Sequence, residues 1–215
     1  MTPSRFVLAF TGLLYVLFFL WFGGAGDPLS TQEADEILSE IRARAEAANG
    51  HHDGDLLESF RVLTREDDGR EFYMLNLMRF REKALYPKGS PYGDDPIEAA
   101  NRYNAVVIPA LLKRGSLPIL LGSYVGPFIP STAPTDRWDQ IGIVRYRSRR
   151  DMLDMAKELS SSGGGEHKWA SLEETIVFPM EPIVDFVFVR GLVFVLLFGI
   201  GGSIALLVRR RDGTP

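Results

Sequence analysis

The chain has 215 residues, a formal net charge of −4 and no cysteine. That excludes disulfides, thiol nucleophiles and cysteine-ligated metals, and it leaves no basic footprint for nucleic acid. About 160 residues lie between two uncharged apolar runs, a length that fills one core and not two.

The first run, Phe6 to Gly26, is dense in leucine and aromatic residues. At about 1.5 Å of rise per residue it is long enough to cross a bilayer, and Trp21 falls where an interfacial anchor is expected. A cleaved signal peptide competes, because Arg5 supplies a charged start and Gly24-Ala25-Gly26 small residues near a cut, although the apolar stretch exceeds a usual signal core. Ser30 and Glu33 fit a capping box, and Ile37, Leu38, Ile41 and Ala45 recur at helical spacing until Asn49-Gly50. This predicts a stalk helix leaning on the domain. Leu56, Phe60 and Leu63 predict a second short helix, closed by the Asp67-Asp68-Gly69 turn.

Residues 72–80, Phe-Tyr-Met-Leu-Asn-Leu-Met-Arg-Phe, form a compact apolar run that reads as a central strand. After a loop holding Tyr86-Pro87, Gly89, Pro91 and Gly93, an N-cap at Asp95, proline at Pro96 and Glu98 announce a helix to Arg114 that ends at Gly115. Pro109 should kink or break it. Leu117 to Phe128 reads as a strand bent at Gly122, and Trp138 to Arg147 as another. Ser148 and Asp151 cap a helix with Met152, Met155, Ala156 and Leu159 on one face. Residues 160–165, Ser-Ser-Ser-Gly-Gly-Gly, read as a flexible loop, and Thr175 to Ile183 as the last strand. The order βαββαβ predicts an α+β, ferredoxin-like fold, a four-stranded antiparallel sheet with its helices on one face. The bare face then needs cover, commonly from a second copy.

The second apolar run, Gly191 to Val208, is entered past Asp185 and Arg190 and closed by Arg209, Arg210 and Arg211. Arg190 can snorkel outward or pair with Asp185. Gly199 with Ser203, and Gly201 with Ala205, have the spacing of a close helix contact, although glycine is also simply frequent in membrane helices. The arginine tail against Asp27, Glu33, Asp35 and Glu36 after the first run places both termini in the cytoplasm and the domain in the periplasm or outside the cell. The expected partition is a transmembrane helix over 1–26, stalk and linker over 27–69, the ferredoxin-like domain over 70–184, a transmembrane helix over 185–208 and a basic tail over 209–215.

Asn76-Leu77, Tyr86-Pro87, Tyr103, Trp138-Asp139 and Arg145-Tyr146 with Ser148 together resemble the domain of unknown function 1330 family. The resemblance covers about residues 70 to 183 and leaves out both apolar runs and the stalk. It implies the dimeric alpha-beta barrel superfamily, which also holds cofactor-free monooxygenases, stress-responsive barrel proteins and haem-binding peroxidase-like enzymes. Since that fold hosts unrelated activities, the resemblance implies a homodimer and no particular reaction.

Asn76, in mid-strand among apolar neighbours, must find partners, either a ligand carbonyl or a neighbouring loop. Arg79, Tyr103, Asp139 and Arg145 are expected to gather near the mouth of a cavity between sheet and helices, and there an arginine–aspartate pair is more often structural than catalytic. Trp138 can stack on a ligand or serve the core. His51-His52-Asp53-Gly54-Asp55 has metal-ligating atoms but reads as an exposed linker, so no metal is expected. His167 can act as a general base or haem ligand, but no second histidine or distal arginine pattern accompanies it, so no cofactor is expected. Phosphate loops, zinc-protease helices and nucleophile elbows are missing.

Two functions fit. The first is a membrane-tethered binding or assembly module that dimerises through its sheet. The second is a small-molecule enzyme, a cofactor-free oxygenase or isomerase, acting on a lipophilic substrate drawn from the lipid bilayer, with Asn76, Tyr103, Arg145 and His167 in its cavity.

Overall fold

The computed structural model describes residues 1–23, 26–47, 54–65, 67–126, 137–185, 188–211 and 213, except the side chains of Ala45, Gly54 and Asp55. In chain order the elements are α1 (Pro3–Phe22), α2 (Thr31–Ala47), α3 (Gly54–Thr64), β1 (Phe72–Phe80), α4 (Pro96–Lys113), β2 (Leu117–Ser123), β3 (Gln140–Tyr146), α5 (Arg149–Leu159), α6 (Gly164–Ser171), β4 (Leu172–Met180) and α7 (Val189–Arg211). They fall into two units, Met1–Gly23 with Ile183–Pro215, and Gly24–Pro182.

In the first unit, α1 and α7 are each long and apolar enough to cross a membrane. Tyr15 meets the rings of Phe194 and Phe198 edge-on, with centroids 5.3 and 6.1 Å away. Of the two small-residue pairs, Gly201 and Ala205 are the buried one, and Gly201 faces Thr11 across the helix pair. Residues four apart share a helix face, which is why these two act together while Gly199 looks into open space. The guanidinium of Arg190 lies over Phe22 and Phe19, 5.1 and 5.9 Å from the ring centres.

The second unit is a four-stranded sheet in the order β2-β3-β1-β4, with every neighbouring pair antiparallel. In the β1–β3 register Phe72 stands opposite Tyr146 and Met74 opposite Val144. Because side chains alternate across a strand, these four share one face. That face meets Val107, Ala110 and Leu111 of α4 and Met152, Leu153 and Met155 of α5. The α2 helix, read from sequence as a stalk, also supplies Leu38 and Ile41 to this core, and α3 supplies Leu57. The outer strands β2 and β4 each carry a proline, Pro118 and Pro179.

Local chemistry explains most boundaries. The Asp95 carboxylate accepts from the amides of Ile97 and Glu98, and Gly115, at φ 64°, takes the left-handed conformation that stops α4. The α4 helix continues through Pro109 to Lys113, so the expected break does not occur there. Ser148 accepts from the Asp151 amide and caps α5. The chain after α5 departs from the expected loop: Gly163, at φ 71°, opens α6, and the last strand begins at Leu172 rather than Thr175. Tertiary packing forms this helix despite its glycines: an added Cβ on Gly164 would stand 3.3 Å from Val106 of α4, so the glycine permits the close approach. Phe128, His51, His52 and Asp53 lie outside the described residues.

The capping box at α2 is present and extended. The amide and hydroxyl of Ser30 donate to the Glu33 carboxylate at 2.9 and 2.8 Å, and Arg150 of α5 donates to its other oxygen at 3.1 Å. The Arg150 hydrogen bond, and then those from Ser30, lower the Glu33 pKa from 4.5 to about 2. A carboxyl whose folded pKa is depressed stabilises the fold above its unfolded pKa and loses that contribution as pH falls through its folded one. Melting temperatures measured between pH 5 and pH 2 should therefore fall less steeply in Glu33→Gln than in the wild type. Equal slopes would refute the assignment.

Candidate functional site

Asn76 is partly buried on β1, and its amide donates to the carbonyl of Met74 at 3.2 Å and to that of Gly142 at 3.5 Å. Both acceptors are strand backbone, so the side chain ties β1 to β3. Arg79, at the far end of β1, pairs with Glu173 and Glu174 of β4 at 3.4 and 2.5 Å. Asp139 caps the same end: its carboxylate accepts from the Phe80 amide at 2.9 Å and lies 3.5 Å from the Arg137 guanidinium. Trp138 is partly buried just before β3.

Arg145 is elsewhere. It stands opposite Tyr73 at the other end of β1, about 20 Å along the strand from Arg79 at ~3.3 Å per residue. Only 1% exposed, it donates to the Glu71 carboxylate and, at 2.8 Å, to the Gly115 carbonyl. The expected gathering of Arg79, Tyr103, Asp139 and Arg145 at one cavity mouth is therefore corrected, because the strand register places the two arginines at opposite ends and acidic neighbours occupy both.

Tyr103 and His167 come from adjacent elements, since α6 packs along α4. His167 Nδ1 shares a 2.9 Å hydrogen bond with the Tyr86 hydroxyl, and the Tyr92 ring meets the imidazole edge-on at 4.8 Å. Next to His167, the ammonium of Lys168 lies 5.0 Å from the Trp169 ring centre and 6.0 Å from that of Tyr103. Burial holds Lys168 below the ordinary lysine range and pushes the Tyr103 phenol up to about 12. Tyr146, stacked on Phe72 with centroids 5.4 Å apart, is pushed up by burial and then by the nearby Tyr103 phenol. Of the expected site residues, Tyr103 has Lys168 and Tyr146 as new neighbours, while the His167 ring faces Tyr86 and Tyr92.

Sequence reasoning missed both newcomers as site residues. The alternation of Val144 and Tyr146 on β3 carried a signal for the tyrosine. Lys168 carried none, because the sequence assigns no element between the expected loop at 160–165 and the expected strand from Thr175.

A groove of about 550 Å³ lies between α4 and α5, lined by Lys113, Arg114, Arg147, Asp151, Lys157 and Glu158 among others. Its charges are matched in pairs: Glu158 with Lys113 and Arg114, Asp151 with Arg147, Asp154 with Lys157. Among the described residues no three histidine, aspartate or glutamate side chains converge as a metal site.

No family model matches the chain. No curated protein matches it either. Its fold is similar to a crystal structure of a protein of unknown function from Rhodopseudomonas palustris, solved as a structural genomics target. That structure is 21% identical, with a TM-score of 0.52, over 63% of this chain and 97% of that one. The methylated form of the same protein is similar at 22% identity and a TM-score of 0.53, over 63% and 96%. At these identities the likeness is one of fold alone.

Proposed function

We propose that this chain is a membrane-anchored, extracytoplasmic binding or assembly module that works as a homodimer. The strand order β2-β3-β1-β4, with α4 and α5 as crossovers on one face, supports reading the second unit as ferredoxin-like and of the dimeric alpha-beta barrel kind. The observation that carries the dimer is the sheet face turned away from these helices. By register, Leu75, Leu77, Ile141, Ile143, Leu120, Ile176 and Phe178 share it, and Leu120, Ile176 and Phe178 are 47%, 44% and 41% exposed. A contiguous apolar face of this kind is stabilised by covering it. The helices α1 and α7 serve as anchors, and Arg209, Arg210 and Arg211 favour a cytoplasmic side for the tail.

Native mass spectrometry of the full chain in lipid nanodiscs tests this. The wild type should be a dimer at micromolar concentration, and the double variant Ile176→Asp, Phe178→Asp a monomer. A monomeric wild type, or a double variant that still pairs, would contradict the reading.

A further inference from the structure

We propose that the groove between α4 and α5 is a binding site for a small, water-soluble phosphomonoester, received by Arg44, Lys113 and Lys157. It lies among the helices and not on the sheet face that carries dimerisation, so either reading can fail without the other.

The pairing of charges in this groove is incomplete. Five cations line it against three carboxylates, a surplus of two. Two of the carboxylates are held by arginines that belong to the fold. Arg114 donates to Glu158 at 2.7 Å and to the carbonyls of Ala110 and Asp154, and Arg147 forks onto Asp151 at 2.8 and 2.7 Å. The other three cations are less occupied. Lys113 gives Glu158 one hydrogen bond, at 3.1 Å, and an ammonium has further donors. Lys157 stands 3.6 Å from Asp154 and 3.5 Å from Glu40, and Arg44 stands 3.6 Å from Glu40. These are ion-pair distances too long for a good hydrogen bond, and among the described residues neither side chain has another partner. Glu40 itself lies outside the lining and is half exposed, where water screens it.

The donor set selects the ligand. Helices α2, α4 and α5 each bring one such cation to the same space. A phosphoryl group carries about three strong acceptor oxygens and, at neutral pH, close to two negative charges, so it can engage all three cations and offset the surplus. A carboxylate has fewer oxygens and a single charge, and would leave a cation unmatched. Every lining residue is charged or bears a hydroxyl, so the groove of about 550 Å³ has room for a hydrophilic body beside the phosphoryl group and no apolar wall for an acyl chain. The Asp154 carboxylate, which accepts no hydrogen bond among the described residues, is left for the hydroxyls of that body.

Isothermal titration calorimetry of the full chain in phosphatidylcholine nanodiscs tests the site, with glucose 6-phosphate, glucose 6-sulfate and glucose as probes at neutral pH. The wild type should bind the phosphate saturably and several-fold more tightly than the singly charged sulfate, and glucose should not bind. Lys113→Met and Lys157→Met should each weaken the phosphate several-fold. Lys83→Met removes an exposed ion pair outside the groove and should leave the affinity unchanged. Lys113 is 66% exposed, so its variant carries the test if Lys157→Met does not fold. The proposal is overturned by a lack of saturable glucose 6-phosphate binding, by equal affinity for the sulfate or for glucose, by tighter binding of a short-chain phosphatidate, by unchanged affinity in Lys113→Met, or by an equal loss in Lys83→Met.

Discussion

Replacing Arg145 with alanine should destabilise the domain by about 3–5 kcal/mol, the cost of breaking a buried ion pair by removing one partner. The side chain is 1% exposed, and among its bonds are two donations to the Glu71 carboxylate and one to the Gly115 carbonyl. Losing it leaves Glu71 without its guanidinium and a backbone acceptor without its donor at the turn that stops α4. Arg145→Lys keeps the charge but not the fork, so it should fall between alanine and the wild type. Denaturant titrations followed by circular dichroism would decide. A loss below about 1 kcal/mol, the range of an exposed pair, would mean that the arginine is not a structural anchor.

Gly201→Ala should separate α1 from α7. A Cβ at this position would stand 2.2 Å from Thr11 Oγ1 and 3.0 Å from its Cγ2. Thr11 cannot easily turn aside, because its hydroxyl donates to the Val7 carbonyl at 2.9 Å and a β-branched side chain has few helical rotamers. The helices must move apart, at about 1–3 kcal/mol for an overpacked contact. Gly199→Ala meets nothing within 4 Å and is the control. Since the chain has no cysteine, Tyr15→Cys with Phe198→Cys reports the contact through bismaleimide cross-linking. Cross-linking should drop several-fold with Gly201→Ala and stay level with Gly199→Ala. Equal cross-linking in both would refute the contact.

What was legible depended on whether the cause was local. The caps at Ser30, Asp95 and Ser148 are one side chain answering the amides two or three residues on, and each helix starts where that chemistry placed it. The run at residues 72–80 is apolar on both faces, and β1 has those bounds because it is an inner strand flanked on both sides. The α6 helix was illegible: its glycines argue against a helix, and its packing on α4 is a tertiary contact that no local pattern announces. The site suffered from the same blindness. Residue types grouped Arg79 with Arg145, because a sequence does not say which end of a strand an arginine occupies. Lys168 entered only once α6 existed to carry it.

Pro118 and Pro179 sit on the two outermost strands, each removing a backbone donor from a rim of the sheet. Such rims are poor templates for adding another strand. Lateral growth into a continuous ribbon is thereby discouraged at both borders.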